Sequence, residues 1–329
     1  MRAAENEYHA TTNDLGWRAP GPIPLRKPPG TLRVLVLGGS AMFGVGAQDG
    51  HTAPDHLERI LNADPRTRPP GITRIEVLNA AQGWYGSTQE LVHFVTDLWR
   101  YEPDIVLVVD GYNDIHHSLV WGISPPLTSV VVQHVNQMRT LPGFSAEAGW
   151  EHVVAAMIGA SALRRTLHFP FELFFSLADQ RLGSADLLVT DSHISEDAVF
   201  RTLLANWAAL DAIARRDGFR VHFALQPVIF TKKPQSPQEA GFIQQAPYAQ
   251  AVGDAWGHLE AYVARKAPAY GLDVFASDRY VRTVPDPIFG DHCHMDSRGY
   301  ERAARAMAEV VRRDLKDWPW KTAFVRGSR

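Results

Sequence analysis

The sequence predicts an α/β protein built on a doubly wound parallel sheet. One short apolar run begins at Leu32 and stops at Gly38-Gly39, and a second covers Asp104–Asp110. Both runs are rich in Val, Leu and Ile at successive positions, which is typical of strands that are covered on both faces. Segments with helical spacing separate these runs from further short apolar runs, and such alternation favours parallel strands with crossing helices.

The other predicted elements continue this alternation along the chain. Each helix is recognised by apolar residues three and four positions apart, and each strand by a short run of β-branched or aromatic residues. The predicted helices are Ala53–Leu61, Thr88–Trp99, Glu196–Arg216, Gly241–Ala267 and Arg298–Leu315, and the predicted further strands are Ile75–Leu78, Arg220–Leu225 and Leu272–Phe275.

A single domain with one insertion accounts for most of the 329 residues. Residues 1–30 are polar and rich in proline, and we expect an arm that lies over the domain with Trp17 as its anchor. Residues 31–317 carry the alternating pattern, which a large, mainly helical insertion at residues 115–197 interrupts. Residues 318–329 form a short tail.

The composition excludes several classes of protein. A net charge of -3 provides no basic field, so nucleic acid is not an expected partner. The only cysteine, Cys293, excludes an internal disulfide and a zinc site with several cysteines. No run approaches the roughly 18 apolar residues of a membrane span. Met1–Thr12 lacks the apolar centre of a signal peptide, so we expect a cytoplasmic protein, with export open if the chain has been trimmed.

The loops at the predicted strand ends carry the groups that acyl transfer needs. Ser40 offers a hydroxyl nucleophile, and Asp291 and His294, three positions apart before the last helix, offer a carboxylate and an imidazole base. The N–H groups of Ser40 and Gly83 and the side-chain amide of Asn113 are candidate donors to an oxyanion. Because ligands of open α/β sheets bind at the carboxyl ends of the strands, we expect these groups at one site.

These residue types also have ordinary structural roles. Ser40 and Asp291 are both common helix-capping residues, and Asn113 is a common turn former after a strand. His294 is also compatible with a partly buried histidine that has no chemical role. The case for catalysis therefore depends on the four loops taken together.

Together the loops resemble the sequence blocks of the SGNH or GDSL hydrolases. The blocks stand in the family's order and span residues 32–300. Gly38-Gly39-Ser40 with Gly44 is similar to the family's Gly-Asp-Ser block, and Asn79–Ser87 is similar to its glycine block. Gly111-Tyr112-Asn113-Asp114 is similar to its Gly-x-Asn-Asp block, and Asp291-His292-Cys293-His294 with Gly299 is similar to its Asp-x-x-His block.

The resemblance implies a flavodoxin-like three-layer α/β/α sandwich and an esterase or lipase. It implies that Ser40 is the nucleophile, that His294 is its base, and that Asp291 orients the imidazole. Gly83 and Asn113 would then complete the oxyanion hole with Ser40. No cofactor or metal is needed, and the substrate would be an acyl or acetyl ester of a small molecule, a lipid or a carbohydrate.

Two positions depart from the family pattern or leave a choice. Gly39 stands where the family's first block has Asp, as in some of its branches, and it is not the nucleophile. Gly83, Trp84 and Gly86 all lie near the expected position of the second oxyanion donor, so the choice among them stays open.

Two rival functions remain at this point. An acyltransferase would use the same acyl-enzyme and pass the acyl group to an acceptor other than water. A more distant alternative is a ligand-binding or metal-binding module in which the Asp-His-Cys-His cluster at residues 291–294 holds an ion.

Overall fold

A computed structural model of the chain describes residues 9–120, 122 and 194–319. Most of the predicted insertion, residues 115–197, lies outside these ranges, and so do the helices expected within it. The tail is described only as far as residue 319.

Four parallel strands form the central sheet, in the order β2-β1-β3-β4. Their bounds are Thr31–Gly38 for β1, Arg74–Asn79 for β2, Ile105–Asp110 for β3 and Arg220–Leu225 for β4. This is the strand order of flavodoxin-like sheets, in which the order reverses between β1 and β3 and ligands bind at the carboxyl ends of those two strands. The predicted fold class is therefore confirmed.

Eight α-helices lie within the described ranges of the chain. They are α1 (Ser40–Phe43), α2 (Ala53–Asn62), α3 (Ser87–Thr96), α4 (Tyr112–Ile115), α5 (Glu196–Asp217), α6 (Pro237–Gln245), α7 (Ala249–Lys266) and α8 (Ser297–Leu315). None of the described helices has the length and apolar character needed to cross a membrane.

The predicted helix at Gly241–Ala267 is in fact two helices, α6 and α7. Ala246, which precedes Pro247, has extended backbone angles (φ −100°, ψ 114°) and ends α6. A residue before proline is pushed out of the helical region by the proline ring, which explains the interruption. Similarly, α3 ends at Thr96, and the chain continues as a 3₁₀ turn at Leu98–Tyr101 instead of helix as far as Trp99.

The strand predicted at Leu272–Phe275 is reduced to a single bridge between Phe223 and Val274. The Phe223 N–H donates to the Asp273 carbonyl, and the Phe275 N–H donates to the Phe223 carbonyl, each at 2.9 Å. The segment runs between a left-handed glycine, Gly271 (φ 67°), and a turn that begins at residue 276, so it is too short for a longer ladder.

Alternate residues of the central strands pack into two cores, one on each face of the sheet. In β1, Leu32, Val34 and Val36 face the layer that contains α2 and α8. Leu35 and Leu37 face the opposite layer, which contains α3, α5 and α7. All five side chains are completely buried, as expected for a central parallel strand.

The chain before β1 is attached to the loop that follows Ser40. Trp17 is fully buried, with its ring 4.6 Å from that of Tyr101. The Arg18 guanidinium donates to the carbonyls of Gly44, at 2.6 Å, and Ala47, at 2.5 Å. A buried cation on these carbonyls stabilises the turn that ends α1.

A buried histidine joins β4 to α8 and to the bridge segment. His222 Nε2 lies 2.6 Å from Asp314 Oδ2, and His222 Nδ1 lies 3.0 Å from Asp273 Oδ2. Burial alone would lower the pKa of His222, but the two carboxylates outweigh it and raise that pKa above its usual range. The stabilisation from this charged histidine is therefore complete below about pH 6.5 and is lost as the pH rises through the raised folded-state pKa.

We expect His222→Gln to lower the thermal midpoint most in mildly acidic solution. The difference from the unmodified protein should narrow as the pH rises above neutrality, because the lost interaction involves protonated histidine. Thermal unfolding followed by circular dichroism between pH 5 and 9 measures this. His258→Gln is the matched control, since His258 pairs with Glu196 on the exposed surface. A difference that is constant with pH would contradict a charged His222.

Candidate active site

Ser40 lies at the carboxyl end of β1, next to the point where the strand order reverses. Gly39 occupies the position before the helix, and Ser40 is the first residue of α1. Ser40 is therefore not the capping residue, and no side chain caps this helix. The N–H groups of Met42 and Phe43 donate to the Gly39 carbonyl, whereas no described residue accepts a hydrogen bond from the Ser40 N–H.

The structure brings Ser40, His294 and Asp291 into one hydrogen-bonded chain. Ser40 Oγ lies 2.7 Å from His294 Nε2, and His294 Nδ1 lies 2.6 Å from Asp291 Oδ2. The carboxylate favours the tautomer with a proton on Nδ1, which leaves the Nε2 lone pair facing the Ser40 hydroxyl. The hydroxyl can therefore pass its proton to the imidazole.

The backbone of the same loop holds Asp291 in place. Its Oδ1 atom accepts the N–H groups of Cys293, at 2.9 Å, and His294, at 2.8 Å. Burial would raise the pKa of Asp291, but the hydrogen bond and charge of His294, together with these two N–H groups, lower it to about 2. Asp291 is therefore a carboxylate at any pH at which the protein would work.

The same contacts act on the imidazole in the opposite direction. Burial alone would lower the pKa of His294, but the adjoining Cys293 sulfur and the Asp291 carboxylate raise it above its usual range. Burial raises the pKa of the Cys293 thiol, so the thiol is neutral near pH 7. Asp291 is consequently the group that stabilises a protonated His294 under those conditions.

Asn113 follows β3 and reaches the backbone of the loop after β2, close to Gly39. Its Nδ2 atom donates to the Tyr85 carbonyl at 2.7 Å, and the side chain is buried. A Cβ atom at Gly39 would lie only 2.5 Å from that Nδ2 and 2.9 Å from the Tyr85 carbonyl oxygen. Because the amide has two N–H groups, one can hold Tyr85 while the second is directed elsewhere.

The glycine-rich loop after β2 carries the three candidates for the second backbone donor to the oxyanion, Gly83, Trp84 and Gly86. Gly83 and Trp84 are the central residues of a turn closed by the Tyr85 N–H and the Gln82 carbonyl at 3.3 Å, and Trp84 has a positive φ of 67°. The Gly86 N–H donates to Gln89 Oε1 at 3.0 Å and so takes part in capping α3. The choice among Gly83, Trp84 and Gly86 stays open, and Gly83 stays the proposed donor to the oxyanion.

His292 is directed away from the other members of the Asp-His-Cys-His cluster. Its Nε2 atom lies 3.0 Å from the Phe242 carbonyl oxygen, and its ring stacks on Phe230 with centroids 5.8 Å apart. Within the described part of the chain, ligand atoms of Asp291, Cys293 and His294 lie within 4.8 Å of one another. A metal would therefore have three ligands from this loop and would compete with the contacts of His294.

Glu239, which the sequence analysis did not select, anchors the loop that carries Asp291 and His294. Its Oε1 atom accepts the N–H groups of Ile288, at 3.1 Å, and Phe289, at 3.2 Å. Its Oε2 atom accepts Lys232 Nζ at 2.7 Å, and both charged side chains are completely buried. The spacing Ser236-x-x-Glu239 signals a capping box in the sequence, but not the ion pair or its contact with the loop.

Comparisons with known proteins identify solved structures that are similar to this chain at low sequence identity. No protein-family model and no curated protein matches the chain. A GDSL-like lipase from Bacteroides thetaiotaomicron is 13% identical, with a TM-score of 0.41 and coverage of 86% of this chain and 88% of the lipase. The acetylxylan esterase Axe2 from Geobacillus stearothermophilus is 13% identical, with a TM-score of 0.41 and coverage of 90% and 97%. A lipase/acylhydrolase from Enterococcus faecalis is 14% identical, with a TM-score of 0.43 and coverage of 86% and 96%.

We expect Gly39→Ala to destabilise the protein by about 1–3 kcal/mol, because the added methyl group overlaps the Asn113 amide and the Tyr85 carbonyl. Gly257→Ala is the matched control, since a Cβ at that helical position meets nothing within 4 Å. Chemical denaturation measures both variants. Adding Asn113→Ala to Gly39→Ala should recover part of the loss, since it removes one of the two clashes. Equal stability of the two glycine variants would contradict the close approach of Asn113 to Gly39.

Proposed function

We propose that this protein is a serine hydrolase that cleaves an acyl or acetyl ester through an acyl-enzyme on Ser40. The observation that carries the proposal is the chain of hydrogen bonds from Ser40 Oγ to His294 Nε2, at 2.7 Å, and from His294 Nδ1 to Asp291 Oδ2, at 2.6 Å. A hydroxyl, an imidazole and a carboxylate in this order are the parts of a nucleophile activated by a general base.

The first step is attack of Ser40 Oγ on the ester carbonyl carbon. His294 Nε2 takes the hydroxyl proton as the new C–O bond forms, and the imidazole becomes positively charged. Asp291, whose pKa is lowered to about 2, remains a carboxylate and stabilises that charge. The adjoining Cys293 sulfur and the Asp291 carboxylate together raise the pKa of His294.

The negative charge that develops on the carbonyl oxygen needs hydrogen-bond donors close to Ser40. The second N–H of the Asn113 amide is one donor, since the first is bonded to the Tyr85 carbonyl. The Ser40 N–H is a second donor, and we assign the third to the Gly83 N–H. Removing one such donor typically lowers the rate by about 10²–10³-fold.

The remaining steps release the alcohol, form the acyl-enzyme and then hydrolyse it. Protonated His294 gives its proton to the departing alcohol oxygen, which leaves the acyl group bound to Ser40. His294 then accepts a proton from the water that attacks the acyl carbonyl. It passes this proton to Ser40 Oγ as the bond from Ser40 to the acyl group breaks, which releases the acid and restores the free serine. The substrate class is an ester of a small molecule, a lipid or a carbohydrate.

We expect Ser40→Ala to abolish labelling by a fluorophosphonate probe and to lower hydrolysis of p-nitrophenyl acetate by more than about 10³-fold. The thermal midpoint should change little, because the hydroxyl has a single side-chain partner, His294. Gel fluorescence, steady-state rates and thermal unfolding measure these effects. Release of free acetate in equal amount to p-nitrophenol distinguishes hydrolysis from transfer to another acceptor. Labelling that persists in the variant would overturn the assignment of Ser40.

The two histidines of the loop distinguish a hydrolase from a metal-binding module. His294→Gln should remove nearly all activity, since it removes the base. His292→Gln should keep most of it, because His292 is bonded to the Phe242 carbonyl and does not contact Ser40. Rates with and without EDTA complete the comparison. Equal losses in both variants, together with sensitivity to EDTA, would favour the metal-binding alternative.

A further inference from the structure

Three carboxyl groups are buried together behind the glycine-rich loop and are not used in the proposed reaction. Glu90 lies on α3, Asp110 ends β3 and Asp114 lies on α4, with exposures of 2%, 2% and 6%. Within the described ranges, no cationic side chain forms an ion pair or a hydrogen bond with any of them. Burying three negative charges without a cation is very unfavourable, so this cluster must hold protons.

Two of the three carboxyl groups have neutral donors, and the third has none. Asp110 Oδ2 accepts the Trp207 indole N–H at 3.0 Å. Asp114 accepts the Ser87 hydroxyl at 2.6 Å and the Ser87 N–H at 3.2 Å. Neither oxygen of Glu90 has a donor among the described residues.

The carboxyl group of Asp110 lies within hydrogen-bonding reach of the Glu90 carboxyl group. A carboxylate only accepts hydrogen bonds, so two ionised groups in contact repel each other, whereas one shared proton turns the contact into a hydrogen bond. In agreement with this, burial followed by the charge of Asp110 raises the pKa of Glu90 well above its usual range. Burial also raises the pKa of Asp110.

The other groups near Glu90 do not supply a compensating charge. The Tyr85 hydroxyl has its pKa raised by burial and by the charge of Glu90, so it is neutral. His93, one turn further along α3, has its pKa lowered by burial and is also neutral near pH 7. From α5, Asn206 and Trp207 offer only neutral donors.

The acid cluster is attached directly to the proposed oxyanion hole. Asn113 holds the Tyr85 carbonyl, and the next residue, Asp114, holds Ser87. Gly86 lies between Tyr85 and Ser87 in the sequence, and a Cβ atom on it would lie 3.2 Å from Asp114 Oδ2. The position of residues 85–87 therefore depends on Asp114, and Asp114 lies near the other two acids.

We propose that Glu90 and Asp110 share one proton, and that this neutralised pair lets Asp114 hold residues 85–87 against Asn113. Glu90 is thus a positioning residue for the oxyanion hole, an inference that rests on the proposed ester hydrolysis. Burial and the charge of Asp110 raise the pKa of Asp114 to about 7, so Asp114 is ionised in alkaline solution. When the shared proton also leaves, the three like charges repel, α3 moves away from Asp114, and the contact of Asn113 with the loop is disturbed. Turnover should then fall while the affinity for substrate changes little.

The experiment compares Glu90→Gln with the unmodified protein. Glu301→Gln is the control, since Glu301 lies on the surface of α8 and pairs with Arg305. Glutamine keeps the shape of Glu90 and donates to Asp110, but it does not titrate. For Glu90→Gln we expect a kcat for p-nitrophenyl acetate at pH 7 within about twofold of that of the unmodified protein. The decline of its kcat in alkaline solution should move to a higher pH by at least about one unit or disappear. KM should not change, and Glu301→Gln should keep the original profile.

Thermal unfolding of the same variants tests the shared proton without any assay of activity. Because the folded-state pKa of Glu90 is raised, the unmodified protein loses stability as the pH rises from about 4.3 towards that raised value. The thermal midpoint of Glu90→Gln should therefore exceed that of the unmodified protein by an amount that grows over this pH range. Asp110→Asn should give the same pattern and replaces Glu90→Gln if the latter does not fold.

Each possible result has a distinct meaning. Midpoints that differ by the same amount at every pH would overturn the shared proton. A growing difference in midpoint with an unshifted alkaline decline in kcat would overturn the positioning role of Glu90. If the unmodified protein hydrolysed no ester, the proposed function would fail, and the midpoints would still decide whether the proton is shared.

Discussion

The arrangement of the whole site depends on the parallel pairing of β1 with β3. In this register Gly38, the last residue of β1, lies opposite Val109, one residue before the end of β3. The two strands therefore end side by side, and the turns that carry Ser40 and Asn113 begin next to each other. Since helices cover both faces of the sheet, this edge is the place where polar groups from different turns can meet.

Close backbone approach sets the second condition. The Asn113 amide and the Tyr85 carbonyl occupy the space that a side chain on Gly39 would need, and Asp114 lies against Gly86 in the same way. The glycines therefore let three separate turns pack within hydrogen-bonding distance of one another. An aspartate at position 39 would collide with Asn113 for the same reason.

Three carboxyl groups of the molecule differ in charge state because their surroundings differ. Asp291 has an imidazole and two N–H groups, and its pKa is lowered to about 2. Burial would raise the pKa of Glu239, but the buried Lys232 and three backbone N–H groups outweigh this effect and lower that pKa. Glu90 has no cation and faces another acid, so its pKa is raised. In the proposed mechanism these carboxyl groups thus differ in role: Asp291 is a charged partner of the proposed base, Glu239 is a charged anchor of its loop, and Glu90 is a neutral support for the proposed oxyanion hole.

The sequence by itself determined the sheet, most of the helices and the candidate groups Ser40, Asn113, Asp291 and His294, because apolar periodicity and short local motifs record them directly. It did not show that Pro247 separates two helices or that residues 272–275 pair only once. Only the tertiary structure revealed the Glu239 anchor and the acid cluster around Glu90. Those contacts join residues that are distant in sequence. The residues next to a glutamate or aspartate in the sequence do not indicate whether the buried carboxyl group will contact a cation or a second acid.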